Sequence, residues 1–114
     1  MFSRGPRKDL KRAAAVFTGE VTEVVSSGSD DYPFEVRLSV EQYWKGANRS
    51  EIVIVSDMGM NTCPGHVFTV GNRYLVYAYS KRLWTHGCTR TRRLEEASED
   101  LRELGKAKVP NKSG

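Results

Sequence analysis

Between Arg73 and Tyr79 the chain reads Arg-Tyr-Leu-Val-Tyr-Ala-Tyr, and once these residues are extended neither face is polar. Leu75, Tyr77 and Tyr79 fall on one side, and Tyr74, Val76 and Ala78 on the other. A strand apolar on both sides is buried on both. This segment is therefore central, and a chain of 114 residues has room to bury it in one core.

The rest of the sequence supplies partners of the same kind. Val16 to Ser26 is rich in β-branched residues, and Gly19 interrupts it as a bulge would. After a polar loop, Phe34, Val36, Leu38 and Val40 alternate with Glu35, Arg37, Ser39 and Glu41, as in a half-buried antiparallel strand. Glu51 to Val55 makes a third strand, and Leu83 to Thr89 a last one. Ala13, Ala14 and Ala15 favour a short helix over 8–15. Leu94, Ala97, Leu101 and Leu104 recur at helical spacing among acidic residues and end at Gly105, which predicts an amphipathic helix with a solvated acidic face. Strands at regular spacing without βαβ alternation indicate a mainly β fold. The expectation is a small five- to six-stranded antiparallel OB-type barrel with a short N-terminal helix and a C-terminal amphipathic helix. Its parts are a basic arm over 1–12, the domain proper over 13–105, and a flexible polar tail over 106–114.

The formal charge of +4 suggests a polyanion partner until its distribution is followed. Residues 1–12 alone sum to +4, and the remainder is neutral. Within that remainder, residues 13–57 sum to −5, 58–93 to +6, 94–104 to −4 and 105–114 to +3. No apolar run is long enough to span a membrane or to form a signal-peptide core. A mature exported chain whose leader is absent remains compatible with that.

Nothing in the sequence assembles an enzyme. There is no nucleophile elbow, no phosphate-cradling glycine loop and no zinc-protease helix motif, and His66 and His86 are the sole histidines. The expectation is a non-enzymatic chain without a cofactor. Cys63 and Cys88 each have a nearby histidine, and three readings stand: a disulfide closing a loop of about 26 residues, worth roughly 3.5 kcal/mol; a zinc site of Cys63, His66, His86 and Cys88; or two unrelated thiols. The glycine- and proline-containing stretch 58–66 reads as a long exposed loop, where function concentrates. Arg73, Lys81, Arg82, Trp84, Arg90 and Arg92 form a basic, aromatic-bearing segment that a single-stranded nucleic acid could use on an OB barrel. Against this, the tyrosines among them read as core.

Four stretches together carry a resemblance: Ala-Val-Phe-Thr-Gly-Glu-Val at 15–21, Tyr-Trp-Lys-Gly at 43–46, Thr-Cys-Pro-Gly-His-Val-Phe-Thr-Val-Gly-Asn-Arg-Tyr-Leu-Val-Tyr-Ala at 62–78, and Cys-Thr-Arg-Thr-Arg-Arg-Leu at 88–94. Over roughly residues 13–105 the chain resembles the tissue-inhibitor-of-metalloproteinases and netrin-like domains, in particular their compact bacterial relatives. The resemblance implies an OB-type barrel, a secreted or cell-envelope location and a protein partner, such as an extracellular metalloprotease, bound by a monomer. It implies that Cys63 and Cys88 are close in space and bonded to each other. It also matches Met58, Met60, Asn61 and Thr62 to the family's second contact loop, from which Pro64 departs. The animal inhibitors chelate the protease zinc through an N-terminal Cys-x-Cys. No cysteine precedes Cys63 here, so the implied module binds protein without that chelating wedge.

Overall fold

In a computed structural model of the chain, the structure describes residues 6–28, 34–56, 68–81, 83–85 and 91–110. A short helix α1 (Pro6–Arg12) leads into β1 (Ala15–Ser26), followed by β2 (Phe34–Lys45), β3 (Glu51–Ser56), β4 (Arg73–Ala78), β5 (Trp84–Thr85) and β6 (Arg92–Arg93). A 3₁₀ turn (Leu94–Glu96) and helix α2 (Ser98–Leu104) complete it. The alternation read from β2 is the one that folds, with Val36, Leu38 and Val40 buried and Arg37 exposed.

The strands form one six-stranded sheet in the order β5-β3-β2-β1-β4-β6. It is mixed rather than wholly antiparallel, because β5 runs parallel to β3, pairing Val55 with Trp84 and Ser56 with Thr85. The parallel step follows from connectivity: β4 runs antiparallel to β1, as β2 does, and β5 turns back from β4 to meet β3. Tyr79 and Trp84 exchange hydrogen bonds of 2.9 and 3.0 Å, tying β5 to the end of β4 and curling the sheet into a small OB-like barrel. Register shifts along β1 and β2 provide the bending. At one of them a Cβ on Gly19 would lie 2.7 Å from the Ser39 carbonyl oxygen, so glycine allows the strands to approach.

Two apolar layers share β4. Tyr74, Val76 and Ala78 join Phe17, Val21, Leu38 and Ile54 inside the barrel. Leu75 and Tyr77 pack outward with Val16, Ala13 and Ala97, and Leu10, Trp44, Leu101 and Leu104 close over them from the helices and β2. Both faces of β4 are covered, one by the barrel and one by the helical layer, although β2 and β1, not β4, stand in the middle of the strand order.

The helices are shorter than the periodicity predicts. Ala13 to Ala15 leave α1, and Ala15 instead opens β1 opposite Ala78. The C-terminal helix begins as a 3₁₀ turn and becomes α-helical only from Ser98. Asp100, expected on the solvated face, is fully buried and accepts a 2.9 Å hydrogen bond from the Tyr77 hydroxyl.

Of the tail expected over 106–114, residues 106–110 are described, and they are tied to the end of β2, where consecutive residues hold both α1 and this segment. Tyr43 and Lys108 exchange two backbone hydrogen bonds of 2.8 Å. The Trp44 indole N–H donates to the Gly105 carbonyl at 3.0 Å. The Lys45 ammonium donates to the carbonyls of Leu10 and Lys11 at 3.1 and 2.9 Å, a cation at the C-terminus of α1. Gly46, at φ +65°, passes where a Cβ would collide with the Ala14 carbonyl. Pro110 is buried at the end of this strap.

Across the outer face, Arg37 donates to Glu51 at 2.9 Å and to Glu23 at 3.3 Å, linking three strands. The hydrogen bond to Glu51, with that residue's charge, raises the pKa of the exposed guanidinium further above its usual value.

Candidate functional site

The loop residues Met58, Met60, Asn61, Thr62, Cys63 and His66 lie outside the described residues, as do His86, Cys88, Arg90 and Arg82. The structure describes the frame from which they leave. Ser56, the last residue of β3, is paired with Thr85, the last of β5, and the Val55 N–H donates to the Leu83 carbonyl at 3.1 Å. Ser56 and Thr85, the last described residues before segments 57–67 and 86–90, are thus buried neighbours at the ends of parallel strands. The first segment is followed by Phe68, which is buried edge-on to Tyr74 with ring centroids 4.8 Å apart. The Thr69 N–H donates to the Tyr74 hydroxyl at 2.9 Å, and the following turn is clipped to Val21 by Gly71 N–H at 2.8 Å and by Asn72 carbonyl at 2.9 Å. Beside that turn a shallow cleft of about 340 Å³ is bordered by Asn72, Arg73, Arg93, Leu94 and Glu95.

Trp84 and Arg93, on either side of the second segment, both pair along β4. Five steps along β4 from Tyr79 to Tyr74 are matched by nine from Trp84 to Arg93, so four residues are surplus to the ladder. Between these two pairings a hydroxyl meets β4. The Tyr77 N–H donates to Thr91 Oγ1 at 2.8 Å, and Thr91 Oγ1 donates back to the Tyr77 carbonyl at 3.2 Å. Thr85 Oγ1 lies 2.8 Å from the same oxygen. One hydroxyl has one proton and two lone pairs. With its proton on the Tyr77 carbonyl, Thr91 accepts from Thr85. The buried oxygen is then saturated, and both ends of segment 86–90 are fixed to β4.

Ser80 and Leu83, at φ 60° and 57°, hold left-handed backbone in the β4–β5 turn. Leu83 stays there because its side chain packs on the barrel core while its carbonyl serves Val55. The strain sits where the barrel closes, next to the two departing segments.

The described residues of the basic segment, Arg73, Lys81, Trp84 and Arg92, are spread along β4 and its neighbours. Arg73 stands at one end of β4, ion-paired with Glu41 at 2.8 Å, while Lys81 is in the turn beyond the other end, roughly 20 Å away at strand rise. Trp84 stacks on Tyr79 with centroids 5.0 Å apart, and Arg92 sits in β6 opposite Leu75. Tyr74 and Tyr77 are fully buried.

Among the described residues no three His, Cys, Asp or Glu side chains cluster as metal ligands, and no helix is long and apolar enough to cross a membrane. The chain matches no known family model and no curated protein.

Sequence reasoning passed over Thr85 and Thr91, whose role needs the register of three strands to be known. Tyr43 and Trp44 read as the end of the second strand and Lys45 and Gly46 as the turn after it, which does not reveal the contacts they make with α1 and residues 105–108. Their one legible signal was a glycine following a Trp-Lys pair at a strand end.

Proposed function

We propose that the chain is a non-enzymatic protein-binding module of netrin-like OB type, acting outside the cytoplasm through the 58–66 loop and the adjoining barrel edge, without chelating a protease zinc. The observation that carries this reading is the pairing of Ser56 with Thr85. It makes the described residues that precede the two connecting segments neighbours on the barrel, and loops carried by such a scaffold are where partners are recognised. The cleft beside Asn72 and Arg93 continues the same end of the barrel with polar groups suited to a protein surface.

The frame supports a Cys63–Cys88 disulfide as well. Cys88 is three residues from both Thr85 and Thr91, so its Cα lies within roughly 11 Å of each. Cys63 is seven residues from Ser56 and five from Phe68, enough chain to reach it. A bond there fits a secreted or cell-envelope location.

Two measurements test the reading. Intact mass without reductant should be lower by two hydrogens than with it. Titration against catalytic domains of extracellular metalloproteases should show a complex that N61A and T62A weaken and that survives removal of the protease zinc. Free thiols would remove the disulfide. Absence of binding across the panel, or indifference to both loop variants, would remove the partner assignment.

A further inference from the structure

Two basic segments about a hundred residues apart in sequence meet at one pole of the barrel. Lys45 holds the C-terminal carbonyls of α1, and two residues earlier on β2 Tyr43 holds Lys108. Residues two apart on a strand are about 7 Å apart, so α1 and the C-terminal strap are neighbours. Lys8, Lys11 and Arg12 on α1 and Lys106 and Lys108 on the strap are all exposed. Asp9 on α1 and Glu103 on α2 each make an interaction within the chain, and Glu99 on α2 is exposed. Between Lys108 and Pro110, Val109 is 71% exposed, the most exposed large apolar side chain among the described residues.

We propose that this pole docks on an anionic phospholipid surface, with the five cations over the headgroup phosphates and Val109 at the boundary of the acyl region. Cations alone would serve any polyanion. An exposed apolar side chain set among lysines adds the second signal that membrane association requires. Single-stranded nucleic acid would instead call for an exposed aromatic platform. The rings at this pole, Tyr43 and Trp44, are half-buried, and the Trp44 indole is committed to Gly105.

Co-sedimentation of the full chain with phosphatidylcholine vesicles, with and without phosphatidylserine, tests this. Binding is expected only to the phosphatidylserine vesicles and should fall as salt rises. K8A/K11A and K106A/K108A should each weaken it about thirtyfold, at roughly fivefold per lysine. V109S should weaken it severalfold by a salt-independent amount. All five side chains are exposed, so these variants fold. Equal binding to both vesicles, no binding to either, indifference to the lysine pairs or to V109S, or tighter capture of an oligonucleotide by the same lysines would overturn the proposal.

Discussion

Thr91→Val replaces a hydroxyl by a methyl of nearly the same size and leaves the rest of the packing in place. Its effect therefore reads the hydrogen bonds and little else. The Tyr77 N–H loses the acceptor it holds at 2.8 Å, and the Tyr77 carbonyl loses a donor at 3.2 Å, both in the buried seam between β4 and the 86–90 connection. An orphaned buried polar group costs about 1–3 kcal/mol, with the carbonyl toward the low end at this longer distance. The sum is roughly 3 kcal/mol, a large part of the 5–15 kcal/mol that holds a domain of this kind. At this size that corresponds to a Tm lower by roughly 12 °C. Urea unfolding followed by circular dichroism should show a reduced midpoint at an unchanged m-value. Thr91→Ser keeps the oxygen and should cost only about 1 kcal/mol for the lost methyl. Because Thr85 donates to the same oxygen, Thr85→Val added to Thr91→Val should cost less than it does alone, a coupling that a double-mutant cycle reads. A Thr91→Val protein within 1 kcal/mol of the parent would refute the assignment of this hydroxyl as the bonding partner of the Tyr77 backbone.

Other substitutions probe the remaining supports. Gly46→Ala places a Cβ against the Ala14 carbonyl at φ +65°, and should destabilise by roughly 3 kcal/mol or more in thermal unfolding. Gly28→Ala, at φ +81° with nothing within 4 Å, should cost only the backbone strain of about 1 kcal/mol. Trp44→Phe removes the indole donor to Gly105, at about 1 kcal/mol. Its sharper signature is faster amide exchange at Tyr43 and Lys108, and unchanged protection there would show that the strap does not depend on the indole. Tyr77→Phe withdraws a hydrogen bond from the buried Asp100 carboxyl and should cost roughly 2 kcal/mol by urea unfolding. Arg37→Met, on an exposed network, should leave the Tm nearly unmoved.

The sequence by itself determined where the four longer strands are and which of them is covered on both faces. Period-two alternation marks β2 from its own residues, and a segment without a polar face must be buried wherever it goes, so the burial of β4 was legible although its place next to the edge strand β6 was not. Gly19 was legible as a break because only a missing Cβ lets two strands come so close there. The tertiary structure decided what depends on pairs of distant residues. The parallel step from β3 to β5 follows from the path of the whole chain. Asp100 looked like part of a solvated face because helical periodicity does not reveal that a Tyr77 hydroxyl waits beneath it. Residues 106–110 looked like a loose tail because their composition is polar, yet their backbone found the unpaired end of β2. The two basic ends of the chain likewise became one surface only through Tyr43 to Lys45. Local pattern fixes which residues are extended or apolar. Hydrogen-bond partners and charge neighbours across a hundred residues are set by the register at which the barrel closes.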